Sequence, residues 1–164
     1  MIKIGLDTES LHLWFQNHRM DIFGFIETAH EFGLDGVMIN IISDYGLDPE
    51  WGTLMNNDPA HLKRVRDLLE SYHMYAELAT KGITKEHLLK VLDVAEALAA
   101  DIIRTYIPIT LNPLTSRATG GEGKYDQAKV RGDFDPAVFD EAAMSLRQII
   151  PELKKRRIRL ALEN

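Results

Sequence analysis

The 164-residue sequence has no cysteine, no long apolar run and no excess of positive charge. Without cysteine, disulfide bonds, thiolate metal sites, iron–sulfur clusters and cysteine nucleophiles are excluded. The apolar runs fall short of the roughly 20 residues that a membrane-spanning helix needs, so we expect no membrane partner. The formal charge of −6 (19 Lys and Arg against 25 Asp and Glu) argues against nucleic acid as a partner. The N-terminus turns polar too soon for a secretory signal, which predicts a cytoplasmic protein.

The apolar residues that are present follow two alternating periods, which is typical of strands separated by helices. The predicted strands are 2–7, 36–40, 75–79, 101–106 and 158–163. Four helices are predicted between them, each preceded by a polar residue suited to a helix N-cap: Asp21, Asp58, Thr84 and Asp135. Pro151 is expected to kink or split the last helix. The sequence therefore predicts an α/β fold of about five parallel strands and four helices.

Two architectures combine parallel strands with helical crossovers: an open doubly wound sheet and a (β/α)8 TIM barrel. Successive strand residues point to opposite faces, and here one face is apolar throughout. The other face is small or polar, increasingly so toward the end of each strand: Lys3, Gly5, Asp7, Met38, Asn40, Tyr75, Glu77, Ala79, Arg104, Tyr106, Ala161 and Glu163. An open sheet with helices on both sides needs two apolar faces. The pattern therefore favours the barrel, which carries its functional groups at the C-terminal ends of its strands.

The length of the chain is short for this fold, because a complete barrel of this kind needs about 250 residues. A fifth strand with an open edge would also be prone to aggregation. We therefore expect residues 1–164 to form a single domain that is the N-terminal portion of a longer TIM barrel. A half-barrel completed by another chain is the alternative.

Three segments carry a family resemblance: Ile-Gly-Leu-Asp at 4–7, Gly-Leu-Asp-Gly-Val at 33–37, and Arg-Leu-Ala-Leu-Glu-Asn at 159–164. They resemble the sugar-phosphate isomerase/epimerase-like proteins, which are xylose-isomerase-like TIM barrels. That family includes inosose dehydratases and isomerases, ketose 3-epimerases and endonuclease IV. The resemblance spans all 164 residues as a pattern of elements. It implies a metal-dependent sugar or sugar-phosphate isomerase or epimerase that moves a proton next to a carbonyl through an enediolate.

The same resemblance gives Glu163 a double role. In the family, the glutamate that ends the fifth strand is the first of four ligands to a divalent metal. In its ketose epimerases, that glutamate also exchanges a proton with the substrate, so Glu163 is predicted to be both metal ligand and catalytic residue. The implied metal is Mn²⁺, with Mg²⁺ or Co²⁺ as alternatives, and the other three ligands would lie beyond residue 164. An ion pair with the inward-facing Arg104 is the structural alternative for Glu163.

Five further residues at or after strand ends are predicted to contact a sugar substrate: Asp7, His12, Asn40, Arg104 and Tyr106. Three of them have an alternative that involves no substrate. Asp7 could cap the backbone of the loop that follows it. Arg104 could pair with Glu77 on the neighbouring strand, and His12 could be a solvated loop histidine.

Two polar segments remain outside these elements. Segment 108–133 is longer than most strand-to-helix loops and is predicted to be a substrate loop or lid, with a disordered loop as the alternative. The basic run 154–157 ends the last helix, where cations suit the helix dipole. We expect that run to be a solvated helix terminus.

Three other functions stay open at this point. A dehydratase or lyase of the same family, of the inosose dehydratase or C-glycoside-cleaving type, would use the same acidity next to a carbonyl. A DNA-repair function like that of endonuclease IV is disfavoured by the negative charge. A non-catalytic barrel fragment would serve as an interaction module. The sequence fixes no oligomeric state, and a homo-oligomer is compatible with it.

Overall fold

The computed structural model describes residues 2–42, 47–106 and 136–163, which contain one five-stranded sheet. Its strands are β1 (Gly5–Asp7), β2 (Gly36–Ile41), β3 (Tyr75–Lys81), β4 (Ile102–Tyr106) and β5 (Arg159–Glu163). The helices are α1 (His12–Gln16), α2 (Ile22–Glu31), α3 (Pro59–Ser71), α4 (Lys85–Ala97) and α5 (Pro136–Arg156). The five predicted strands are thus confirmed, although β1 is shorter than expected. The short helix α1, which follows a 3-10 turn at Thr8–Leu11, was not predicted.

The order of the strands separates the two candidate architectures. Every neighbouring pair is parallel, and the order in the sheet is β1-β2-β3-β4-β5. A doubly wound sheet reverses its strand order at a switch point, whereas each strand of a barrel pairs with its neighbours in sequence. The described strands therefore follow the course of a barrel wall, as the sequence predicted.

Short polar side chains fix where the helices begin. Asp21, Asp58 and Thr84 each accept a hydrogen bond from a backbone N–H in the first turn of α2, α3 and α4, at 2.9–3.3 Å. These bonds satisfy donors that a helix N-terminus otherwise leaves unpaired. The three N-caps are confirmed, and Asp135 lies outside the described residues.

Helix α5 continues through Pro151 as a single helix, so the expected split does not occur. Proline removes one backbone donor from the helix and crowds the preceding turn. Ile149 is nevertheless completely buried, and Leu153 packs against the same core. Packing on both sides of Pro151 holds the helix together.

The basic run at the end of α5 is only partly solvated. Arg156 is 16% exposed and reaches α4, where its guanidinium lies 2.6 Å from Asp93 Oδ1 and 3.1 Å from Glu96 Oε2. The hydrogen bond to Asp93 is the main cause that raises the pKa of Arg156. Lys155, in contrast, is largely exposed. The prediction of a solvated terminus is therefore wrong for Arg156, which links two helices.

The main core lies between the helices and the apolar face of the sheet. Several of its largest side chains are completely buried: Phe25, Ile26, Ile39, Leu78, Leu92 and Ile103. The strand residues among them belong to the apolar set predicted from alternation, so the assignment of faces is confirmed. The polar set consequently lies on the opposite, inner face.

Glycine at position 36 lets an aromatic ring lie flat on the N-terminal part of the inner face. A Cβ at Gly36 would overlap the Cγ, Cδ1 and Cε1 atoms of Tyr75. A Cβ at Gly5 would lie 2.6 Å from the Tyr75 hydroxyl. Burial raises the pKa of that hydroxyl, with smaller contributions from Glu77 and Asp35. The inner face is thus filled by Tyr75 at one end and by polar groups at the other.

Candidate active site

Five of the six predicted site residues meet at the C-terminal end of the inner face. Asp7 ends β1, Asn40 lies near the end of β2, and Glu163 ends β5. Arg104 and Tyr106 occupy alternate positions of β4. The strand register places all of them on one face of the sheet.

Arg104 lies between two carboxylates, one on the neighbouring strand β5 and one on β1, three strands away. Its NH2 atom is 3.3 Å from Asp7 Oδ2, and its Nε atom is 3.0 Å from Glu163 Oε2. Strands β1 and β4 are separated by two strands, a distance of about 14 Å along a flat sheet. The contact with Asp7 therefore requires the sheet to curve around its inner face, as a barrel wall does.

This arrangement overturns one structural alternative, the Arg104–Glu77 ion pair, and agrees with two others, for Glu163 and for Asp7. Among the described ion pairs, Arg104 is paired with Asp7 and Glu163 rather than with Glu77. The Glu163–Arg104 pair was foreseen as the structural alternative to a ligand role, and the structure contains it. Asp7 also caps its loop, because its Oδ1 accepts a hydrogen bond from Glu9 N–H at 2.9 Å.

Glu163 has one carboxylate oxygen with an incomplete environment. Oε2 is buried, yet it receives no correctly aligned hydrogen bond within the part of the chain that the structure describes. The Tyr106 hydroxyl interacts with the same carboxylate. Burial raises the pKa of Tyr106, Arg104 lowers it, and Glu163 raises it again. The hydroxyl consequently stays protonated at neutral pH and remains a donor.

Asn40 is held from three sides and is almost completely buried. Its backbone N–H donates to Thr8 Oγ1 at 2.9 Å, and its carbonyl accepts from Thr53 Oγ1 at 2.9 Å and Thr53 N–H at 3.1 Å. Its Nδ2 donates to Asp7 Oδ1 at 2.9 Å. Only Oδ1 has no partner among residues 2–42, 47–106 and 136–163. The amide is therefore fixed, with one acceptor left over.

Sequence reasoning missed the two threonines that hold Asn40. Thr8 and Thr53 lie in separate loops, and both are buried. Their hydroxyls also lie 3.4 Å from each other. No local motif marks them, because their common partner is 32 and 13 residues away in sequence.

Replacing Thr53 with valine tests how much the hydrogen bond from its hydroxyl to the Asn40 carbonyl stabilises the fold. Valine keeps the shape of threonine but removes the hydroxyl that donates to the Asn40 carbonyl. We expect the free energy of unfolding to fall by about 1 kcal/mol, the net worth of one such bond. Urea unfolding measures the change, with the exposed Thr84→Ser, which keeps its capping hydroxyl, as control. A loss equal to that of the control would contradict this stabilising role.

His12 lies in α1, just beyond the end of β1, and not in the strand-end cluster itself. Its Nδ1 is 2.8 Å from the Glu9 carbonyl oxygen, and the side chain is half-buried. The predicted substrate loop at 108–133 lies outside the described residues. Whether His12 contacts a substrate stays a prediction.

The described residues offer a metal ion one good ligand rather than a complete site. Within 2–42, 47–106 and 136–163, no group of three or more His, Asp or Glu side chains could hold a metal. Glu163 Oε2 is a buried carboxylate oxygen with a lone pair that no aligned hydrogen bond occupies. Such an oxygen suits a hard divalent cation. Glu163 Oε2 thus has the chemistry of one ligand position, and its role as a metal ligand stays a prediction.

The described elements correspond to the first half of a xylose-isomerase-like TIM barrel. One similar structure is a D-allulose 3-epimerase from Methylomonas sp., with 17% identity and a TM-score of 0.59 over 98% of this chain and 51% of that chain. Another is a xylose isomerase-like TIM barrel protein from Mycobacterium smegmatis in complex with magnesium. It has 16% identity and a TM-score of 0.52, over 98% of this chain and 54% of that chain.

These similarities concern the fold alone. This chain spans about half the length of the two solved structures. No protein-family model and no curated protein matches the sequence. In the described part of the chain, no helix is both long and apolar enough to cross a membrane.

Proposed function

We propose that this chain carries part of the active site of a metal-dependent sugar or sugar-phosphate isomerase or epimerase. The observation that carries the proposal is the cluster of Glu163, Tyr106, Arg104, Asn40 and Asp7 at the C-terminal end of a barrel-like inner face. Enzymes with this fold carry their active sites at that end. The similarity to a solved D-allulose 3-epimerase supports the same reaction class.

In this proposal Glu163 moves the proton next to the substrate carbonyl. A carboxylate within hydrogen-bond reach can remove such a proton and return it from the same face of the substrate, and an epimerisation would need a second acid–base group on the opposite face. Tyr106 is paired with Glu163 in the strand register and interacts with its carboxylate. Asp7, His12, Asn40 and Arg104 would bind substrate hydroxyl and carbonyl groups.

A divalent ion fits the proposal through the free lone pair of Glu163 Oε2. When bound, the ion would stabilise the negative charge of the enediolate. Mn²⁺ is the proposed metal, with Mg²⁺ and Co²⁺ as alternatives, and the similar Mycobacterium structure is a magnesium complex. Glu163 is the residue of this chain that would hold it.

Isotope exchange tests the reaction class directly. The purified natural gene product would be loaded with Mn²⁺ and incubated with a panel of ketohexoses and ketose phosphates in D₂O. We expect an isomer that carries one deuterium at the carbon next to the carbonyl. Loss of one water would instead assign a dehydratase. Absence of both exchange and conversion across the panel would overturn the proposal.

A further inference from the structure

The contact between Arg104 and Glu163 joins two charges without a well-formed hydrogen bond. Arg104 Nε and Glu163 Oε2 are 3.0 Å apart, and both atoms are buried. Neither atom makes a hydrogen bond of acceptable geometry to any described residue. The pair is therefore held mainly by charge.

Arg104 consequently occupies the neighbourhood that a divalent ion on Glu163 would need. Two cations at such a short separation repel each other strongly where the site is partly closed to solvent. The Arg104 side chain is 24% exposed, so it has limited access to screening water. A metal ion could bind Oε2 only if the guanidinium moved away from it.

Asp7 provides the place to which the guanidinium can move. Its Oδ2 atom already lies 3.3 Å from Arg104 NH2, at the long end of a charged hydrogen bond. Its Oδ1 atom is held by Asn40 Nδ2 and Glu9 N–H, so the carboxylate cannot follow the arginine. A small shift of Arg104 toward Asp7 would shorten one ion pair and release the other.

We propose that Arg104 is a positioning residue that neutralises Glu163 in the metal-free protein and yields Glu163 to the divalent ion, with Asp7 retaining the guanidinium. The proposal rests on the proposed function, in which Glu163 is a metal ligand. It gives Arg104 and Asp7 opposite effects on metal affinity. Arg104 opposes binding by its charge, whereas Asp7 favours binding by drawing that charge away.

Isothermal titration with MnCl₂ alone, after removal of chelator and without sugar, measures these effects. Arg104→Met removes the competing charge and is expected to tighten Mn²⁺ binding at least about tenfold, a size typical for groups around a metal ligand. Arg104→Lys keeps the charge and should bind close to the natural protein. Asp7→Asn should weaken binding, because Arg104 then stays on Glu163.

The double variant gives the sharpest outcome. In an Arg104→Met background, Asp7→Asn should no longer change Mn²⁺ affinity, because the charge that Asp7 attracts is gone. Arg159→Met is the matched control, since Arg159 pairs with Asp101 at an exposed position. That control is expected to leave the affinity unchanged. Equal effects of Asp7→Asn in both backgrounds would overturn the proposal.

A second neutral variant and a melting curve distinguish an effect on metal binding from misfolding. Arg104→Gln removes the charge and keeps hydrogen-bonding capacity, so it should tighten Mn²⁺ binding in the same direction as Arg104→Met. Without metal, both neutral variants should melt at a lower temperature than the natural protein, and saturating Mn²⁺ should reduce that difference. Unchanged or weaker binding by both variants overturns the inference.

The two proposals fail in different ways. If the natural protein binds no Mn²⁺, the metal part of the proposed function and this inference both fall. If it binds Mn²⁺ and exchanges deuterium but the Arg104 variants bind equally well, only the inference falls.

Discussion

Glu163→Gln in the natural gene product is expected to lower kcat for sugar isomerisation by about 10²- to 10⁴-fold, the range for loss of a positioned acid–base group. Glutamine has the shape of glutamate and keeps one oxygen that can accept hydrogen bonds. It cannot accept a proton from the substrate. Deuterium exchange from D₂O should therefore fall together with kcat, which a single assay by mass spectrometry can follow at saturating Mn²⁺.

The matched control for this variant is Glu77→Gln. Glu77 is also half-buried on the inner face, but it lies in the middle of β3 and is not among the described ion-pair partners of Arg104. Its replacement should leave kcat within about twofold of the natural value. The ion pair of Glu163 with Arg104 is partly exposed, so its loss should change the free energy of unfolding by only about 1 kcal/mol. A Glu163→Gln protein that is folded, binds Mn²⁺ and keeps its kcat would refute the catalytic role.

Gly36→Ala is expected to destabilise the fold by about 1–3 kcal/mol, the usual range for overpacking. The added methyl group would overlap three atoms of the Tyr75 ring, including Cγ, which cannot swing away without movement of the whole side chain. Tyr75 also lies 5.5 Å below the Lys3 ammonium group. Urea unfolding of the natural protein and the variant measures the difference.

Gly24→Ala is the matched control for the glycine substitution. A Cβ there would meet Asp21 Oδ1 at 3.6 Å, an ordinary contact, and alanine is favoured over glycine inside a helix. This variant should therefore be more stable by about 0.5–1 kcal/mol. Combining Gly36→Ala with Tyr75→Ala should remove most of the loss, because alanine lacks every atom that the added methyl group would overlap. An equally large loss in the Tyr75→Ala background would show that another contact is responsible.

The elements that the sequence predicted well are those with local signals. Asp21, Asp58 and Thr84 act on N–H groups two or three residues away, so their capping role is visible in the sequence. The alternation of apolar and polar residues along each strand is an equally local signal. Helix α1 was missed because it has five residues and no side-chain hydrogen bond at its N-cap. Pro151 predicted a kink or a split, and α5 is not split there because residues on both sides of it pack against the core.

The positions of the candidate site residues were foreseen, but their pairing was foreseen only in part. Strand position and alternation suffice to place Asp7, Asn40, Arg104 and Glu163 at one end of the inner face. They do not tell which of the carboxylates Arg104 meets. Glu77 and Glu163 on the adjacent strands were the expected partners, whereas the structure pairs Arg104 with Glu163 and with Asp7, which comes from three strands away. The roles of these residues, the metal, the single-domain boundary, the oligomeric state and the cytoplasmic location stay predictions.

The sequence by itself determined the alternation of strands and helices, the apolar and polar faces of the sheet, and the exclusion of cysteine chemistry. These follow from periodicity and composition, which act over a few residues. Only the tertiary structure decided the position of Arg104 between Asp7 and Glu163 and the burial of Asn40 by Thr8 and Thr53. Those contacts join residues up to 97 positions apart, and they depend on how strongly the sheet curves. Curvature is set by the packing of all strands and helices together, so no single segment encodes it.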